Sequence, residues 1–109
     1  MKVYEIAEKL SLKSLSLADS SREVNGVYIG DLLSWVMGRA ESGDAWITIM
    51  SNINIVAVAS LADVACIILA EGVVPDENVC ATALQKGINI YTSDKTAYEL
   101  AAVLAQCLL

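Results

Sequence analysis

The stretch Trp46–Pro75, WITIMSNINIVAVASLADVACIILAEGVVP, is the feature that most constrains what this chain can fold into. Two apolar runs stop there at small polar clusters, Ser51-Asn52 and Ala70-Glu71-Gly72. That arrangement reads as two parallel strands whose carboxyl ends face one crevice. Parallel neighbours need a crossover of about a dozen residues, and a helix makes it best. Residues 53–61 are therefore expected to be helical, although INIVAVASL also suits a strand by composition.

The same reading extends in both directions. Val3, Ile6, Ala7 and Leu10 recur at helical spacing and predict an amphipathic helix over residues 2–10. Leu15 and Leu17 alternate with Ser14 and Ser16 as in a strand, and ADSSREVN at 18–25 is the densest loop signal. Val27–Ile29 predict a brief strand ended by Gly30, with Asp31 as N-cap of a helix to Arg39 and a turn over Glu41–Asp44. Strands are expected at 46–50 and 65–69, then a helix opened by Pro75-Asp76-Glu77 and stopped by Gly87. A strand over Ile88–Tyr91 and a helix over Lys95–Cys107, capped by Ser93 or Asp94, complete a β-α-β-α-β-α second half. No repeat, low-complexity tract or linker intervenes, so the 109 residues read as a single α/β domain, 1–109. The expected architecture is three layers, a mostly parallel sheet with helices on both faces.

Composition limits the function. Hydrophobic residues make up 56% of so short a chain, more than one small core readily hides, which points to burial against a second copy and hence a homodimer. The formal net charge is −6, and Lys2, Lys9, Lys13, Arg22, Arg39, Lys86 and Lys95 form no stripe, so nucleic acid is not an expected partner. The first ten residues lack a signal peptide's uninterrupted apolar core, and Ile55–Ala70 is too short and too interrupted to span a bilayer. No membrane association and a cytoplasmic location are the expectations. Cys66, Cys80 and Cys107 stand far apart in apolar surroundings and read as reduced thiols packed as small hydrophobes.

No catalytic constellation is visible, and no cofactor or metal is expected. Without histidine, the Ser-His-Asp and Cys-His arrangements and the usual zinc sites are unavailable. Gly38–Gly43 has the glycine spacing of a phosphate-binding loop, but Asp44-Ala45 follow where Lys and Ser or Thr are needed. The candidate binding residues lie at the expected strand ends: Ser51, Asn52, Asn54, Glu71, Gly72, Thr92, Ser93 and Lys95. Ser51, Asn52 and Asn54 suit a ribose, an amide or a phosphate, and Gly72 lets a ligand approach the backbone. Lys95 is the one cation expected on this face and so the anion-binding candidate, while Glu71 reads as a solvated or dimer-contacting carboxylate. Asn and Ser at such positions also cap helices, and Trp35, Trp46, Tyr91 and Tyr98 read first as packing residues.

GVYIGDLLSWVMG at 26–38, ITIMSNINIVAVAS at 47–60, CIILAEGVVPD at 66–76 and ALQKGINIYTSDKTAYELA at 83–101 resemble successive blocks of the DRTGG domain family. The resemblance covers nearly the whole chain and is weakest before Ser20. It implies a regulatory module with a fold similar to the N-terminal domain of HPr kinase/phosphorylase, a tendency to self-associate, and no kinase chemistry. The Asp-Arg of the family's name falls at Ser51-Asn52 and its Thr-Gly-Gly at Ala70-Glu71-Gly72, leaving Gly72 alone of the five. An arginine missing at Asn52 removes a partner for phosphate or carboxylate. Two functions follow: a non-enzymatic, bacterial-type regulatory homodimer that takes a nucleotide-like ligand or a partner protein at the strand ends, or a structural adaptor with no ligand.

Overall fold

A computed structural model describes residues 1–108. The elements in order are α1 (Val3–Leu10), β1 (Lys13–Ser16), β2 (Gly26–Ile29), α2 (Leu33–Arg39), β3 (Asp44–Thr48), α3 (Asn54–Ala62), β4 (Cys66–Leu69), α4 (Val79–Gln85), β5 (Ile90–Thr92) and α5 (Ala97–Leu108). The helix expected at 53–61 forms as α3, so the crossover argument holds.

The five strands make one mixed sheet in the order β1-β5-β4-β3-β2. Strands β2 to β5 are parallel, and β1 alone runs antiparallel, beside β5. Side-chain alternation sends Ala45, Ile47, Cys66, Ile68 and Tyr91 to one face, where Val3, Ile6 and Leu10 of α1 and Leu100 and Leu104 of α5 cover them. Trp46, Ile67, Leu69 and Ile90 face the other way, under Val36, Ile55, Val56, Val79 and Ala83 of α2, α3 and α4. Both faces are buried, which is why Ala45–Ile47 of β3 and the whole of β4 read as continuous apolar runs rather than alternating ones. Tyr91 and Trp46 are core residues as expected, but Trp35 is 52% exposed beneath the Arg39 guanidinium and Tyr98 is 82% exposed.

Several boundaries differ from the sequence expectation, each for a local reason. Strand β3 stops at Thr48 rather than residue 50, because the Asp31 carboxylate accepts the Ile49 N–H at 3.0 Å and the Thr48 hydroxyl at 2.8 Å. Asp31 therefore spans two loops instead of capping α2, whose N-cap position is Leu32. Helix α4 starts at Val79 and not at Pro75, since the Asp76 N–H is taken by the Ser51 carbonyl and Asn78 sits at φ 70°. In front of α5, Ser93 and Asp94 yield the cap to Thr96, whose hydroxyl accepts the Glu99 N–H while Glu99 accepts the Thr96 N–H. Gly87, at φ 75°, ends α4 as predicted.

Cys66 is buried and Cys80 and Cys107 are half-buried, all three as free thiols. Burial pushes the Cys66 thiol up to about 12, far from a reactive thiolate. No helix among the described residues is long and apolar enough to cross a membrane.

Candidate functional site

The parallel register places the carboxyl ends of β3, β4 and β5 on one edge, with Thr48 opposite Leu69 and Leu69 opposite Thr92. Backbone bonds then link the three following loops in a row. The Ala70 N–H reaches the Thr48 carbonyl at 3.0 Å, and Ser93 N–H reaches Leu69 at 3.0 Å. The Gly72 and Glu71 N–H groups donate to Ser93 and Lys95 carbonyls at 2.8 and 2.9 Å. Ser51, Glu71, Gly72, Thr92, Ser93 and Lys95 thus share an edge although up to 44 positions separate them, counting from 51 to 95.

Helix α4 leaves β4 for one face and α5 leaves β5 for the other, so the chain diverges between these two strands. A crevice is expected at such a divergence. Here the Glu71–Lys95 and Gly72–Ser93 bonds close its floor. Glu71 and Gly72 are consecutive left-handed residues, φ 58° and 71°, and a Cβ at Gly72 would stand 3.0 Å from the Asp94 carboxylate. Glycine is the natural residue for that backbone, and the glutamate at 71 is held in it by its neighbours.

What remains open is a small cleft beside β5, about 210 Å³, lined by Ser11, Lys13, Thr92, Ser93, Asp94 and Lys95. Lys13 is the addition that sequence reasoning misses. Because β1 runs antiparallel, its first residue pairs with the last of β5, Lys13 with Thr92. Lys95 is therefore not the one cation on this edge. Neither lysine joins an ion pair among the described residues. No local signal marks it, because strand direction is a tertiary property.

The other candidates are largely occupied by internal bonds. The Asn52 side-chain oxygen accepts the Asn54 N–H at 2.9 Å, at the start of α3. The Thr92 hydroxyl donates to the Val73 carbonyl at 3.0 Å, and the Ser93 hydroxyl oxygen accepts the Lys95 N–H at 3.1 Å. Asn54 parts from the set: it lies in a separate shallow groove between α3 and α4, with Thr82 and Lys86. No buried side-chain polar atom among the described residues lacks a partner, and no group of three metal-ligating side chains comes together there.

A layered α/β module with a loop-stitched carboxyl edge is the class that this fold and edge define. The model of the DRTGG domain family matches residues 5–107, and the chain belongs to that family. It is similar to the crystal structure of the CBS and DRTGG domains of the regulatory region of Clostridium perfringens pyrophosphatase, complexed with its activator diadenosine tetraphosphate. The TM-score is 0.73 at 15% identity, over 96% of this chain but 46% of that one, so the likeness shows the fold. The chain thus spans less than half of that structure's length. Comparison with curated proteins gives no match.

Proposed function

We propose that residues 1–109 act as one DRTGG domain, a non-enzymatic, cytoplasmic regulatory module that forms a homodimer and takes a nucleotide-like ligand at the carboxyl edge. The observation that carries this reading is the Lys13–Lys95 cleft: two cations share a pocket of hydroxyls in a chain of net charge −6. Ser51, Asn52, Glu71, Gly72, Thr92 and Ser93 form the surrounding edge, and Asn54 contributes through the fold of α3. Family membership and the structural neighbour's description as a regulatory region with a nucleotide activator support the same assignment. Asp94 in the cleft wall and the absent arginine at Asn52 favour a ligand of modest charge over a bare polyphosphate.

A second reading, a structural adaptor with no small-molecule ligand, is favoured by one specific observation. The Asn52, Thr92 and Ser93 side chains already serve the backbone. Thermal unfolding with AMP, ATP, diadenosine tetraphosphate and inorganic phosphate decides between them. A ligand at a hundredfold its Kd adds about 2.7 kcal/mol and raises Tm by roughly 10 °C or more in a domain of this size. Lys13→Gln and Lys95→Gln should each reduce that shift without changing the unliganded Tm. No shift with any compound leaves the adaptor.

A further inference from the structure

The two edges of the sheet are built differently. Strand β1 carries an exposed Lys13 and an irregular register between Ser14 and Ser16, both devices that discourage another strand from adding. Strand β2, Gly26-Val27-Tyr28-Ile29, has no charge, no proline and an unbroken register against β3. The Gly30 N–H bonds inward to the Ile47 carbonyl, so alternation turns the backbone polar groups of Val27 and Ile29 outward, away from β3. An unguarded edge of this kind is a template for a partner strand.

Next to that edge lies a second unpartnered surface. Helix α5 has no charged residue from Leu100 to Leu108, yet only Leu100 and Leu104 are buried. Its Ala101, Ala105 and Leu108, together with Val27 and Ile29, line a groove of about 510 Å³. A surface helix ordinarily presents a charged or polar face to water. With a net charge of −6 and no charged side chain lining the groove, this corner would let two copies approach without local charge repulsion.

We propose that the occupant of this corner is a second copy of the chain, joined by antiparallel β2·β2 pairing about a two-fold axis, with α5 packed beside its counterpart. The inference rests on the homodimer reading above and names its interface. Identical strands paired antiparallel are self-complementary, and the two sheets become one of ten strands. Pairing Val27 with Ile29 of the partner uses both outward-facing residues and sets Tyr28 near the axis. The nine residues that line the groove form the centre of this interface, and a specific dimer needs roughly 1,000 Å² buried in total around it.

Sedimentation at micromolar concentration of the parent, Ile29→Lys and Ile29→Pro tests this. Ile29 is 49% exposed, and its N–H faces away from β3, so either substitution spares the folded protomer. The parent should sediment at twice 11.6 kDa, both variants at 11.6 kDa, and Leu61→Lys, on the far surface of α3, at twice 11.6 kDa. A dimeric parent with folded, dimeric Ile29 variants overturns the interface and leaves the homodimer standing. A monomeric parent overturns both, and the edge then serves a foreign strand. If a variant unfolds, amide exchange of the parent decides. Protection of the Val27 and Ile29 N–H groups that rises with protein concentration supports the pairing, and fast exchange at every concentration refutes it.

Discussion

Replacing Asn89 by alanine should destabilise this domain more than any single change at the candidate binding edge. Asn89 is 2% exposed. Its side-chain oxygen accepts the Ala18 and Asp19 N–H groups at 2.9 and 2.8 Å, and its amide donates to the Asp19 and Ala65 carbonyls at 2.7 and 3.0 Å. These bonds fasten the connection between β1 and β2, which must cross the whole sheet because the two strands form its opposite edges. At about 1 kcal/mol each, with backbone partners left unsatisfied, the loss comes to ~3–5 kcal/mol. In a domain of this length that is a fall in Tm of roughly 15 °C or more. Urea unfolding followed by circular dichroism measures it directly, and an unchanged m-value would show that the unfolded ensemble is not responsible. Asn89→Asp sharpens the test. It keeps two acceptors but turns an oxygen toward the Asp19 and Ala65 carbonyls, and burial among acceptors raises its folded pKa. The folded state then binds the proton more tightly than the unfolded one, so stability is retained at acid pH and lost as pH rises. A loss under about 1 kcal/mol for Asn89→Ala, or a pH-independent Asn89→Asp, would refute the account of Asn89 as the anchor of this loop.

Adjacent positions 71 and 72 should respond with opposite signs. Both are left-handed, so Glu71→Gly is expected to range from neutral to about 1 kcal/mol stabilising, with lost strain set against a freer unfolded chain. Gly72→Ala should cost about 1–2 kcal/mol through strain and its contact with Asp94, and denaturant midpoints moving together in one direction would contradict this. Bonds from Ser42 and then Arg22 hold the Asp63 carboxyl below its ordinary value. The folded state binds that proton less readily than the unfolded one, so its contribution is present above the ordinary carboxylate range and fades as pH falls through the lowered value. Asp63→Asn should flatten the acid limb of a stability profile below about pH 4, and an unaltered limb would dismiss the pair.

What the sequence determines is the set of short-range decisions. Trp46–Thr48 and Cys66–Leu69 are strands because their apolar runs admit burial on both faces, and the intervening residues must be helical because a parallel crossover requires it. The co-location of Ser51, Gly72 and Ser93 follows from the same logic, since consecutive parallel strands present their carboxyl ends together. Direction and distance are not local properties. That Lys13 joins Lys95 depends on β1 running antiparallel at the edge, which its four residues do not encode. Asp31 looks like a cap beside its own helix, yet Thr48 and Ile49, brought close by β2·β3 pairing, compete for its carboxylate and win. Asn89 sits in an ordinary apolar run, and its partners lie 24 to 71 positions away. A side chain with several hydrogen-bonding atoms takes whichever partners burial denies to water, and only the tertiary structure decides which those are.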